Sequence, residues 1–401
     1  MAKPFDFRKF AATLSCGIAL AWAACLAMMF RQGTWILDGK GQPIVTDFIE
    51  VWAAGRTTLH GAAASTYDPK LHHAAQVAVA GHAFHGFLWW HYPPFVLFAA
   101  MLLALLPYAV SFFVWVAATL APYAITISLL ARSRLAWLIA CASPAVFINA
   151  VAGQNGYTTA ALIGAVVLNL QARPILAGAF LGLLTYKPQF GLLFPLVLVV
   201  SGRWRAFWSA AAVAISLIAA SWLAFGSTTL KAFAHFLPLA SQSLLVDGSA
   251  GWKKLQSIYG LARCLGVSNS LASGLQGLTF VACAVGLLWL WRRAISFETK
   301  AAALSVATLL ATPYAYMYDF PILAVPLALL WRERPFDRVE FVGIGAAGLF
   351  LSIYAFGILV APMGPFAAIA VVALIARRVV LDSPSAVPLH FPWFQIERAI
   401  R

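Results

Sequence analysis

AATLSCGIALAWAACLAMMF, residues 11–30, carries no charge over twenty residues, the length an α-helix needs to cross the hydrocarbon of a bilayer. Lys3, Arg8 and Lys9 stand just before it, and basic residues favour the cytoplasmic flank of a span. The run is longer than the apolar core of a signal peptide and lacks a clear small-x-small cleavage site. It reads as an uncleaved first span with the N-terminus in the cytoplasm. Outward from this segment the composition repeats the theme: 62% of the 401 residues are hydrophobic and 10% are charged. A soluble chain is about 45–50% apolar and about 25% charged. The formal charge is +14, but Lys and Arg occur singly or in small groups between apolar runs. A nucleic-acid surface needs them clustered on a polar face. Cytosolic enzymes, disordered proteins and nucleic-acid-binding domains are thereby excluded. The expected fold is an all-α polytopic integral membrane protein of about 11–13 transmembrane helices, with a helical first external loop.

Punctuation divides the chain into a first span (1–30), a first extracytoplasmic loop (31–90) and core helices (91–225). A second extracytoplasmic loop (226–270), C-terminal spans (271–380) and a cytoplasmic tail (381–401) follow. The cationic groups SGRWR (201–205), WRR (291–293), RERPFDR (332–338) and RR (377–378) then fall inside as anchors. Arg132 and Arg134 run against that rule. A re-entrant pair broken at TYKPQ (185–189) would change the local helix count. In the first loop, TDFIEVWAAGRTTLHG (46–61) reads as a short helix too short to span, lying along the outer membrane surface, with Thr46 as N-cap and Gly61 as a stop. The five cysteines form no CxxC pair, which disfavours a zinc site or disulfide framework.

Ionisable groups at membrane depth are expensive and point to function. Asp47 has Glu50 three residues on, on the same helix face. A partly desolvated carboxylate there can take a proton from an alcohol; the bland alternative is an acid favoured by the helix dipole. Arg56 could hold a phosphate or reach lipid headgroups. In HYPPF (91–95), Pro93 and Pro94 force an extended entry that aims His91 and Tyr92 toward the loop. His60, His72, His73, His82 and His85 lack a third ligand at a recognisable spacing, so no metal is expected. Lys187 sits among leucines, away from the SGRWR anchor, and needs an anion: a carboxylate or a ligand phosphate. Pro188 beside it frees backbone groups that can line a cavity. TPYAYMYDFP (312–321) sets Tyr314, Tyr316, Tyr318 and Asp319 between apolar runs and suggests a polar pocket.

In order along the chain stand DFIEVWAAGRTTLHG (47–61), YD (67–68), HYPPF with LLP (105–107), GQN (153–155), AG (177–178) with Lys187–Pro188 and RWR (203–205), and TPYAYMYD (312–319). This succession, over about residues 45–335, resembles glycosyltransferase family 87, bacterial GT-C membrane enzymes related to polyprenyl-phosphate-mannose-dependent α-1,2-mannosyltransferases. The resemblance implies Asp47 as catalytic base, and a polyprenyl-phosphate sugar as donor to a lipid or glycan acceptor. It implies inverting transfer on the extracytoplasmic side of a bacterial inner membrane, with a hexose such as mannose as the sugar. Gln154, Asn155 and Lys187 would line the donor and acceptor cavity, together with Glu50, Tyr92, Tyr316, Tyr318 and Asp319. The mannosyltransferases carry histidines where this chain has Tyr316, Tyr318 and Asp319, a departure that bears on sugar and acceptor more than on reaction class.

The chemistry agrees with that kit. A glycosidase needs a second carboxyl to protonate its leaving alcohol; a polyprenyl phosphate leaves without one if cations meet the developing charge. Lys187, His91 and Arg56 are the expected phosphate-binding groups, with Arg263, Lys253 and Lys254 of the second external loop as weaker candidates. A nucleotide-sugar enzyme would need glycine-rich Rossmann turns, which are missing, so the donor is expected to be lipid-borne. No cofactor or metal is expected. The alternative, a transporter or flippase, would show related halves with matched broken helices, and no such repeat is visible.

Overall fold

The computed structural model describes residues 7–86 and 88–381, so Lys3 and all but the first residue of the expected cytoplasmic tail (381–401) lie outside the described residues. Apart from a two-residue antiparallel pair, Thr34–Trp35 with Leu37–Asp38, the regular structure of the described residues is helical. Among them, six helices are long and apolar enough to cross a membrane: Lys9–Arg31, Tyr108–Ala131, Trp204–Val246, Asn269–Trp291, Arg338–Ala355 and Gly364–Leu381. The chain is a multi-pass membrane protein.

The count of uninterrupted spans is thus lower than the eleven to thirteen expected, because much of the apolar sequence forms shorter helices. Gly156–Asn169 and Phe297–Leu310 bury side chains on nearly every face, whereas Lys9–Arg31 is almost wholly unburied. An inner set of short helices is therefore wrapped by long ones whose free faces are apolar, such as Leu20, Ile218 and Leu278. An inner helix can end at membrane depth because its freed backbone groups are buried in protein and not exposed to lipid.

The stretch 174–200 shows how. Pro174–Leu183 is followed by two single 3-10 turns, Leu184–Tyr186 and Pro188–Phe190, and then Leu193–Val200. The chain then comes back to where the stretch began: Arg203 Nη1 donates to Leu170 O at 2.6 Å and Ser209 Oγ to Ile175 O at 2.7 Å. Lys187, non-helical at φ −132° and ψ 73°, thus sits at the tip of a broken hairpin.

Two expected boundaries move. Helix Phe48–Leu59 does not lie free on a surface: nine of its twelve residues are buried, packed against Val96–Ala104 and Pro69–Ala80. Its N-cap is Asp47, not Thr46. The second loop begins well after residue 226, because the helix from Trp204 kinks at Gly226 (φ 73°, ψ 171°) and continues to Ser241. That backbone conformation is open only to glycine. Between 246 and 269 the chain is irregular except for the 3-10 turn Trp252–Lys254 and the helix Ile258–Cys264.

Candidate active site

Three of these features converge: the start of helix Phe48–Leu59, the extended HYPP segment and the broken hairpin at Lys187. With the 312–319 segment and the second loop they enclose a cavity of about 950 Å³. Asp47, Glu50, His91, Tyr92, Gln154, Lys187, Tyr316, Tyr318 and Asp319 all line it, from segments up to 272 positions apart (319 − 47 = 272). Of the site residues expected from sequence, Asn155, Arg56, Arg263 and Lys253 do not.

Asp47 makes no side-chain capping bond to its own helix, so its carboxylate does not serve as a helix-start acid. It accepts a hydrogen bond from Gln154 Nε2 at 3.0 Å, and Gln154 Oε1 accepts from Tyr92 OH at 3.1 Å. The relay fixes the Gln154 amide and occupies Asp47 Oδ2. Burial raises the Asp47 carboxyl above its ordinary pKa, opposed by the Gln154 hydrogen bond and by the charges of Lys254 and Lys187. Glu50 is raised further, by desolvation first and then by the charge of Asp47. Two carboxyls in a confined space disfavour each other's ionisation, and Glu50 is the more strongly affected of the two.

Lys187 finds its anion in the protein: its Nζ lies 2.7 Å from Asp319 Oδ1, with both side chains buried. Asp319 Oδ2 also accepts from the Tyr316 amide at 3.0 Å. Of the two anions open to Lys187 from sequence, the carboxylate is the one present, so the lysine does not reach the cavity as a spare positive charge. His91 is exposed to the cavity space, yet the protein around that space disfavours its imidazolium and pulls its pKa down to about 4. At neutral pH it offers a hydrogen bond and no charge.

Arg56 corrects an expectation. It is exposed and lies over the Trp52 ring at 5.1 Å. Nine residues separate it from Asp47, half a turn out of phase at 3.6 residues per turn, which sends it to the opposite helix face. Asn155 is buried behind the wall, where its backbone oxygen accepts from Tyr186 OH at 3.1 Å. Arg263 lies over the Trp252 ring at 4.0 Å and donates to Val267 O at 2.9 Å. Lys253 is exposed and outside the cavity lining, whereas Lys254 is part of it.

Gly156 acts here too. A Cβ at that position would meet Tyr318 O at 1.6 Å. The missing side chain lets the 312–319 segment press against the start of helix Gly156–Asn169, where the Gly156 amide donates to Asn149 Oδ1 at 2.9 Å. The glycine of GQNG was the signal for this contact, since a glycine at a helix start permits close backbone approach. The lining also carries a set of apolar side chains, Leu192, Ala214, Ile218, Leu230, Phe233 and Leu237. Leu192, Ile218 and Leu237 among them are exposed. Among the described residues no three His, Cys, Asp or Glu side chains converge as a metal site.

The fold is polytopic and helical, and its cavity is lined by both carboxyls and apolar side chains, which fits a membrane enzyme. Residues 90–313, more than half of the chain, match the model of glycosyltransferase family 87, and the chain belongs to that family. It is a membrane glycosyltransferase, working with a sugar donor, an acceptor and the surrounding lipids. This displaces the transporter alternative. Neither a curated protein nor a solved structure matches the chain.

Proposed function

We propose that this glycosyltransferase moves a sugar, a hexose such as mannose, from a polyprenyl-phosphate donor to a lipid or glycan acceptor. The reaction runs on the extracytoplasmic side of a bacterial inner membrane, with inversion and without a cofactor. The observation that supports the reading is the mixed lining of the cavity, which joins Asp47 to an apolar trough of Leu192, Ile218, Leu230 and Phe233 side chains. A polyprenyl chain fills such a trough without leaving the bilayer, and the sugar phosphate is delivered to the carboxylates.

Asp47 acts as general base on the acceptor hydroxyl. With Oδ2 engaged by Gln154, Oδ1 takes the proton as the hydroxyl oxygen attacks the anomeric carbon from the face opposite the phosphate. The carbon–oxygen bond to phosphate breaks, and its electron pair leaves on the polyprenyl phosphate. A base positioned in this way contributes about 10²–10⁴ in rate.

The test is to incubate membranes containing this protein with labelled polyprenyl-phosphate sugars and identify a product that requires it. Transfer is expected with the wild type and lost in Asp47→Asn. Full activity in that variant removes Asp47 as base; transfer only from a nucleotide sugar removes the lipid donor.

A further inference from the structure

The cavity holds fewer free positive charges than a departing phosphate needs. Its lining includes three carboxylic acids, Asp47, Glu50 and Asp319, and two lysines, Lys187 and Lys254. Lys187 is bound to Asp319 at 2.7 Å. A phosphate drawing on Lys187 would have to compete with a buried carboxylate or leave it uncompensated, and stripping one partner from a buried pair is strongly unfavourable. Lys254 is different. It lines the cavity, is exposed, and has no carboxylate within ion-pair distance among the described residues.

Lys254 is also held in place. It ends the 3-10 turn Trp252–Lys254, and the next three residues are pinned to the segment that carries Tyr316 and Asp319. Leu255 forms an antiparallel bridge with Tyr316. The Gln256 amide donates to Ala315 O at 2.7 Å and Ser257 Oγ to Pro313 O at 2.9 Å. Gln256 Oε1 further accepts from the Gly364 amide at 2.8 Å. Leu255, Gln256 and Ser257 are all buried. A flexible four-carbon ammonium is thus mounted on a fixed strut, close enough to Asp47 for its charge to act on that carboxylate.

We infer that Lys254 is the cation that receives the donor's phosphate, while Lys187 is the permanent partner of Asp319. The inference rests on the lipid-donor reading above. In the transfer step the phosphodiester monoanion becomes a phosphomonoester with one further negative charge, as the acceptor's proton passes to Asp47. Lys254 meets that charge as it forms, and an ammonium serves as a mobile point charge for phosphate. Its exposure lets it follow the leaving phosphate out of the site, which a lysine locked at 2.7 Å to Asp319 cannot do.

The experiment measures binding of polyprenyl phosphate to the full-length protein in nanodiscs, and transfer from a polyprenyl-phosphate sugar. Lys254→Ala is expected to weaken polyprenyl-phosphate binding at least about tenfold and to lower kcat, by on the order of 10² if it meets developing charge. Lys254→Arg should restore much of the binding, and Lys253→Ala should leave both unchanged. The double variant Lys187→Met/Asp319→Asn removes the buried pair as a unit and should bind polyprenyl phosphate like the wild type. Wild-type binding that survives Lys254→Ala, or that is lost in the double variant while its fold is kept, overturns the inference and leaves the lipid donor standing. A wild type that binds no polyprenyl phosphate overturns the donor reading itself.

Discussion

Two buried ionic groups among the described residues are built on opposite principles. Around Lys187 there is one carboxylate, Asp319, and a cavity beside it. Arg378 is fully enclosed by protein. Its fully buried guanidinium donates to Glu340 Oε1 at 2.7 Å, to Glu333 Oε2 at 3.2 Å and to Arg334 O at 3.2 Å, and also reaches Leu330 O. Arg334 and Arg377 add further bonds to Glu340 and Asp337. Glu340 and Asp337 reciprocally cap helix Arg338–Ala355. Every polar atom of Glu340 is used, and three helices are tied together. The Arg378 guanidinium is bonded at all three nitrogens, as a planar five-donor fork allows, while the buried Arg377 Nε beside it is left unpaired. The Lys187–Asp319 pair, by contrast, lines a cavity.

If that contrast is right, substitutions in the cavity affect turnover and those in the cluster affect folding. The largest effect on activity is expected at Asp47. Asp47→Asn should lower kcat/KM by about 10²–10⁴ with no loss of thermal stability, measured by initial rates and by unfolding in the same detergent. Glu340→Gln should do the reverse. Leaving Arg378 buried beside a neutral amide costs about 3–5 kcal/mol, read as a large drop in melting temperature with normal kcat in the protein that remains folded. A loss of turnover in folded Glu340→Gln would break the comparison.

Smaller effects sharpen it. Gln154→Ala frees Asp47 Oδ2 and removes a hydrogen bond that holds the carboxyl's pKa down. With Asp47 as the proposed base, active only when ionised, the acid limb of kcat/KM is expected to follow its titration. Because burial raises its folded pKa above the ordinary carboxylate value, activity should rise with pH through that raised value. In Gln154→Ala the limb should move to higher pH, and an unmoved limb would exclude Gln154 as the residue that positions the base. Gly156→Ala should destabilise the protein by about 1–3 kcal/mol, since the new methyl meets a backbone carbonyl and not a flexible side chain. Arg56→Ala should change stability by no more than about 0.5 kcal/mol and leave transfer intact, as expected for an exposed residue on the far helix face.

Much of the site was legible in the sequence because a polar residue inside an apolar run is conspicuous. Asp47, Lys187 and Asp319 stood out for that reason, and the order of the motifs carried the family. Arg56 misled because a linear motif does not weigh helix phase: it shares a segment with Asp47 but not a face. The RERPFDR and RR groups held more than the sequence showed. Read only as cytoplasmic anchors, they also form a cluster in which Arg378 and Glu340 are fully buried, which no local spacing rule connects. Lys254 was a weak candidate in sequence because nothing near it in the chain shows that Leu255, Gln256 and Ser257 dock on the 312–319 segment.

The sequence by itself determined that this chain lives in a membrane, where its broken helix falls and which ionisable residues need explaining. Those follow from transfer free energies and backbone chemistry, which are local. Only the tertiary structure decided which charges meet. It gave Lys187 to Asp319 and Arg378 to Glu340, and left Lys254 without an ion-pair partner among the described residues, because Coulombic pairing depends on distances in space that helix packing sets.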